Sequence, residues 1–194
     1  MEDPIKQESL LLSAVNILLE TINELPMEDE SEYAGYLEAT QARSKVIEVT
    51  RAVLSEKWDF NTDKNYVFPI DTNGMIPVPM NVLDIVGNRG DVIMRNWKLY
   101  SRSNQSHIFE EEVPCDVVWL FDFNNISHPL RHYITIRAAR IFAARTIGDK
   151  EILGFNEIDE EDARLAARRS ESLTGKYNML SSGMYGINNS ARLN

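Results

Sequence analysis

The sequence predicts an α+β chain: a helical bundle of about four helices with an inserted small antiparallel β barrel or sandwich lobe and a flexible C-terminal arm. Three observations predict it. Apolar residues recur at helical spacing in Leu11, Val15, Leu18, Ile22 and Leu25, and again in Ala39, Ala42, Val46, Val49 and Val53. From about Asn65 to Leu120 the pattern changes to short apolar runs punctuated by Pro and Gly, the mark of strands and turns. The last residues are rich in Ser, Gly and Asn, the composition of a flexible segment. The expected boundaries are a first helical half over 1–62, a β lobe over 63–126, a second helical half over 127–180 and an arm over 181–194.

The first helix is expected over 9–25, with Ser9 as N-cap and Pro26 enforcing the stop. An acidic connection follows, in which Asp29 and Glu32 have capping-box spacing for a second helix running to about Lys57. The acidic start of that helix and its later Arg43, Lys45, Arg51 and Lys57 suit the helix dipole. Trp58-Asp59-Phe60-Asn61 ends the pattern, and its two aromatics read as a plug at the end of the bundle. Next, Asp71-Thr72-Asn73-Gly74 between Tyr66–Ile70 and Met75–Val78 is a hairpin signal. Pro69, Pro77 and Pro79 assign those strands to an edge, since proline donates no ladder hydrogen bond.

Val82–Val86 and a turn at Gly87-Asn88-Arg89-Gly90 come next. A second hairpin of Val92–Met94 with Trp97–Tyr100, a polar loop Ser101–Ser106, Ile108-Phe109 and Val113–Leu120 complete the strand set. Helix returns at Pro129 with Ser127 as N-cap. From Tyr133 to Ile147 apolar residues cover nearly every side, so this helix is expected to be buried, by its own domain or by a partner. Gly148 breaks it. The last helix is expected to start near Asp149 or Asn156, to turn from acidic (Glu157–Asp162) to basic (Arg164, Arg168, Arg169), and to fray near Gly175–Asn178.

The chain has 194 residues, 20 basic and 30 acidic side chains, and a formal net charge of −10. Nucleic acid is gripped by clustered Lys and Arg that displace counterions, so this chain is not expected to hold DNA that way. Arg131, Arg137, Arg140 and Arg145 are the local exception, and they read as partners for acidic helices of this chain or a neighbour rather than as a phosphate site. The lone Cys115 excludes an internal disulfide framework and a cysteine-clustered zinc site. The longest apolar stretch, Leu10–Leu19, is too short to span a bilayer and contains Ser13 and Asn16, so no membrane insertion is expected. The acidic Met1-Glu2-Asp3-Pro4 is unlike a signal peptide, and a cytosol-like reducing compartment is expected.

Motifs for catalysis are weak. There is no P-loop, dinucleotide fingerprint, nucleophile elbow or zincin motif. Glu110-Glu111-Glu112 and Glu157–Asp162 are carboxylate runs that read as a solvated face and a helix start. They could serve glycoside hydrolysis only if two acids converged in space. His128 and His132 lie four apart but lack a third ligand nearby, so a polar first turn is the expectation rather than a metal pair. Cys115 reads as a small buried hydrophobe. No catalytic residue, metal or cofactor is assigned.

Several segments, in order, resemble one known family. They are Ser13-Ala14-Val15-Asn16-Ile17-Leu18 with Asn23-Glu24-Leu25-Pro26, then Trp58-Asp59-Phe60-Asn61, then the proline-bearing β insertion. The helix with Pro129, Tyr133 and Ala138 follows, and Glu160-Glu161-Asp162-Ala163 leads to Tyr177-Asn178-Met179-Leu180. Together they are similar to tail tubular protein A, the head-to-tail adaptor or gatekeeper of short-tailed podoviruses, over nearly the whole chain. The resemblance implies a non-enzymatic virion tail protein. It implies a homo-oligomeric ring, a dodecamer, under the portal protein. The ring would hold the tail nozzle protein (tail tubular protein B), stand near the tail fibres, and enclose DNA on its way out without sequence-specific binding. Assembly would take place in the host cytoplasm.

On that reading the subunit-interface candidates are Arg131, Ile134, Arg137, Ala139, Arg140, Phe142 and Arg145 on the over-apolar helix. The arm offers Met184, Tyr185, Ile187 and Leu193 as portal contacts, a composition suited to folding on binding. Loops of the β lobe offer Ser103, Gln105, Glu110 and Glu112 as nozzle contacts. Two rival classes stand beside this one. One is a tail-associated cell-wall or polysaccharide hydrolase using paired carboxylates, and the other is a generic helical interaction domain.

Overall fold

The structure, a computed structural model, describes residues 9–87, 90–146 and 155–184, with side chains of the last helix described to Leu173. In chain order the described elements are α1 (Leu10–Glu20), α2 (Leu37–Leu54), β1 (Thr62–Val67), β2 (Val82–Gly87), β3 (Val92–Arg95), β4 (Lys98–Ser101), β5 (Pro114–Trp119), α3 (His128–Thr146) and α4 (Glu157–Met184). The fold is α+β. It divides into two compact units, Met1–Val46 with Ser127–Asn194, and Ile47–Ile126, so that α2 contributes to both.

In the helical unit, Ser9 caps α1, its hydroxyl accepting the Leu12 N–H at 3.4 Å. Leu12, Val15, Leu18 and Leu19 form its buried face. The helix stops at Glu20, well before Pro26. Asn23 takes a left-handed φ of 62°, which asparagine tolerates. The Asn23 and Glu24 N–H groups then close back on the Glu20 and Leu19 carbonyls, both at 3.0 Å, so the orphan carbonyls are satisfied locally. Leu25, expected on the buried face, is 80% exposed as a result. Asn16 fixes the connection by accepting the Met27 N–H at 2.8 Å and donating to its carbonyl at 3.0 Å. Asp29 caps a short 3-10 turn over Glu30–Gly35 instead of the second helix, which starts at Leu37. The seam foreseen in α2 is present: Ala39, Ala42, Val46, Val49 and Val53 are all buried.

α3 packs against both α1 and α4. Its residues Leu130, Tyr133, Ile134, Ile136, Ala138, Ala139, Phe142 and Ala143 are buried around most of its circumference. α4 opens with a reciprocal capping box. The Asn156 carbonyl-type Oδ1 accepts the Ile158 and Asp159 N–H groups at 2.7 and 3.1 Å, and Asp159 accepts the Asn156 N–H at 2.8 Å. Among its residues whose side chains are described, the fully buried hydrophobic ones are Ala163 and Ala167. The expected fraying near Gly175–Asn178 does not occur, because the helix continues to Met184. One glycine inside a helix costs only about 1 kcal/mol, less than a long helix can absorb. The expected break at Gly148 and the alternative start at Asp149 lie outside the described residues.

In the β unit, β5 is the central strand, with β1 and β2 antiparallel on either side, and β3 and β4 form a separate hairpin. Val82, Ile85, Val92, Leu99, Cys115 and Val117 close one apolar core with Phe68, Ile76 and Val78. The described strands form open sheets and no closed barrel, which corrects that part of the expectation. The expected hairpin of Tyr66–Ile70 with Met75–Val78 is also corrected. The first strand is Thr62–Val67 and its partner is β5. Pro69, Pro77 and Pro79 remove ladder donors, and Met75 and Pro77 make only isolated bridges. The turn between them does form, with Asp71 accepting the Asn73 and Met75 N–H groups at 2.8 and 2.9 Å. Gly87 is required by close approach, since a Cβ there would stand 2.8 Å from that of Val92.

The C-terminal end of α2 is closed by the two residues that bracket Trp58–Asn61. Trp58 is fully buried and its Nε1 donates to the Val53 carbonyl at 2.8 Å. Asn61 donates to the carbonyls of Leu54 at 2.9 Å and Trp119 at 2.7 Å, and accepts the Trp58 N–H at 3.1 Å. Lys57, at a φ of 61°, makes the sharp exit. Phe60 packs on Phe121 with centroids 5.3 Å apart. The foreseen plug is therefore a hydrogen-bonded helix cap as well as a packing element.

Candidate functional site

Three surfaces carry the residues singled out in the sequence. The first is the junction of α3 with α4. Arg137 and Arg140 converge on Glu160: Arg137 Nε lies 3.6 Å from Oε1, and Arg140 Nε donates to Oε2 at 2.5 Å. Arg140 also reaches Glu157 at 3.8 Å, and Arg137 donates to the Tyr133 hydroxyl at 2.6 Å. Spacing explains the convergence, since residues three apart on α3 face the first turn of α4 together. The Glu160 side chain is 16% exposed, so the carboxylate is shielded enough for removal of a partner to be costly. These two arginines therefore tie the chain's own helices together. Ile134, Ala139 and Phe142 are buried within the single chain, Arg131 is partly exposed, and Arg145 is exposed at the end of α3.

The second surface is the polar loop after β4. Sequence patterning does not single out Asp91, yet this residue builds the loop. Its carboxylate accepts the Ser101 hydroxyl at 2.9 Å, the Ser103 hydroxyl at 2.8 Å and the Ser103 N–H at 2.8 Å. Its carbonyl accepts the Arg102 N–H at 2.9 Å. The hydrogen bonds from Ser103, first the hydroxyl and then the backbone, hold the Asp91 carboxyl below its ordinary range. Ser101 and Ser106 exchange backbone hydrogen bonds at 2.9 and 3.3 Å, closing the loop. Ser103 and Gln105 are thus presented to solvent on a fixed frame, and Glu110 and Glu112 are exposed just beyond it. The sequence signal for this frame is faint, because Asp91 stands ten residues before Ser101-Arg102-Ser103, although short polar side chains of these kinds compete for backbone groups.

The third surface is the C-terminal end. Met184 is the last residue of α4, its side chain is not described, and Tyr185, Ile187 and Leu193 lie outside the described residues.

The chemically suggestive groups have structural partners or surroundings. The His128 and His132 rings stack at 6.4 Å, and among the described residues no three His, Cys, Asp or Glu side chains group as a metal site. Glu110, Glu111 and Glu112 are exposed, while Glu157 and Glu160 meet Arg140. Cys115 is buried, and burial, with the Asp116 charge beside it, pushes its thiol up to about 11. Such a thiol is not a nucleophile at neutral pH. Among the described residues no helix is long and apolar enough to cross a membrane.

The fold and these surfaces are those of an α+β chain in which the charged groups described above join elements of one unit or stand on braced loops. Residues 12–177 match the family Tube, described as tail tubular protein, and the chain belongs to the tail tubular protein family. It is accordingly a structural protein of the virion tail, working in an assembly with other tail proteins. The resemblance to podoviral tail tubular proteins read from the segments above agrees with this match. No curated protein matches the chain.

Proposed function

We propose that this chain is the head-to-tail adaptor of a short-tailed virion. Copies form a ring of twelve beneath the portal protein, carry the nozzle on the far side and surround the channel through which DNA leaves. One observation supports the reading: the family match spans 12–177 and takes in residues of both compact units, so neither unit stands outside the tail-protein match. The charge supports it. With a formal −10 per chain, a ring of such chains carries on the order of a hundred negative charges, and a wall of the same sign as DNA does not retain it.

In this reading the protein is not an enzyme and takes no cofactor. The braced loop with Ser103 and Gln105, and the exposed Glu110 and Glu112, face the nozzle. Met184, Tyr185, Ile187 and Leu193 reach the portal, and the outer residues of α3, Arg131 and Arg145, stand toward neighbouring subunits. The β lobe (63–126) and the arm (181–194) act as separable contact modules.

The test is the mass of the purified chain by light scattering, alone and mixed with portal rings, followed by addition of nozzle protein. A ring-sized particle that binds portal and then nozzle is the expected result. A chain that stays monomeric in every mixture, or one that turns over cell-wall polysaccharide, would overturn the adaptor reading.

A further inference from the structure

We infer that the tip of the β3–β4 hairpin, built on Trp97, docks on the acidic α1–α2 connection of a second copy of this chain. The inference rests on the ring reading and names a contact that closes it.

The hairpin turns on Asn96 and Trp97, with φ of 53° and 56°. Two consecutive positive φ values are the mark of a type I′ turn, whose second central position is ordinarily glycine. A tryptophan there is strained, because in the left-handed conformation its Cβ crowds the following carbonyl. The strained residue is also 45% exposed. Strain at a ring left nearly half exposed is only partly offset by burial in the isolated chain, and such outliers point to a functional surface. The tip is firmly held from below. The Trp97 carbonyl accepts the Val78 N–H at 2.9 Å, and the Leu99 N–H reaches the Ile76 carbonyl at 3.0 Å.

Charge says what the tip fits. Arg95 and Lys98 flank the turn as a cross-strand pair. Arg95 lies over the Tyr100 ring at 4.0 Å, and Lys98 Nζ meets Met75 Sδ at 3.2 Å. Among the described residues neither forms an ion pair with a carboxylate. A rigid Trp and Arg on a projecting turn is the composition of an interface anchor.

The complementary surface is on the chain itself. Glu24, Glu28 and Glu30 are exposed between α1 and α2, again without an ion pair among the described residues. Along the same stretch of chain, from the end of α1 to the start of α2, Leu25, Tyr36 and Leu37 are exposed by 80%, 55% and 66%. A cationic aromatic knob thus has an anionic apolar seat. Because knob and seat are different patches, the contact between copies is heterologous, and head-to-tail repetition of it closes into a ring when the rotation allows.

The experiment uses the full chain and follows its assembly by sedimentation, alone and with portal rings. Arg95→Glu with Lys98→Glu is expected to weaken assembly at least about tenfold, and Glu28→Lys with Glu30→Lys to do the same. Combining all four restores assembly. Trp97→Ala and Trp97→Gly both weaken assembly. Trp97→Gly melts above Trp97→Ala by roughly 2–4 °C, because only glycine relieves the backbone. Charge-reversed variants that assemble like the unaltered chain, or a four-fold swap that stays impaired, would overturn the contact and leave the ring standing. An unaltered chain that remains monomeric even with portal would overturn the ring, and this contact with it.

Discussion

Replacing Asn61 with alanine should unfold the β unit early. Asn61 is 1% exposed and its amide makes three hydrogen bonds: two donations, to the Leu54 and Trp119 carbonyls, and one acceptance, from the Trp58 N–H. Three buried hydrogen bonds at about 1 kcal/mol each give a loss of about 3 kcal/mol. That is a large share of a total stability of roughly 5–15 kcal/mol. With a urea slope of about 2 kcal/mol/M, the midpoint falls by about 1.5 M. All three tryptophans, Trp58, Trp97 and Trp119, lie within Ile47–Ile126. Tryptophan fluorescence therefore reports that unit, while far-UV circular dichroism is weighted toward the helices. The fluorescence transition should move and the two signals should separate. Asn61→Asp keeps the acceptor but turns a carboxylate toward two carbonyl oxygens, so it should be no more stable than Asn61→Ala. A midpoint shift below about 0.3 M for Asn61→Ala would show that water takes over these bonds and that the cap argument is wrong.

Further outcomes are expected elsewhere in the chain. Ala139 is 0% exposed, so Ala139→Glu forces both volume and charge into a packed site and should cost several kcal/mol, seen as loss of folded soluble protein; an unchanged urea midpoint would mean that face is open. Asp91 has a depressed folded-state pKa, so its bracing of the loop is complete above the ordinary carboxylate value of 3.8 and is lost as pH falls through the lower folded value. Hydrogen exchange at the Ser103 amide should stay slow from neutral pH down to that region and then quicken, whereas Asp91→Asn should weaken protection at every pH. Cys115, raised to about 11, should resist alkylation at pH 8 in the native protein and react once urea unfolds it. The neutral thiol is the folded form, so the stability linked to it declines as pH rises from the model-compound value of 9.0 through about 11, which a urea series across that range would detect.

Much of the helical framework is legible in the sequence. The α2 seam from Ala39 to Val53, the Ser9 cap and the burial of α3 around most of its circumference follow from spacing and capping chemistry, which involve residues only a few positions apart. Ordered segments along the chain also carry the family resemblance. Other features depend on which distant residues meet. β1 could not be read as Thr62–Val67, because its partner β5 lies some fifty residues away and polar residues such as Asp63, Lys64 and Asn65 hide the strand period. Asp91 and Ser103 look like ordinary loop residues until β3 and β4 fold back on each other. Asn61 reads as the last residue of a short aromatic motif, yet its amide closes on Leu54, Trp58 and Trp119 at once. Local terms of helix period and capping are written in adjacent residues. The pairing of β1 with β5 and the meeting of arginines with Glu160 arise only when closing long loops is offset by contacts across the fold, and tertiary structure alone decides which contacts those are.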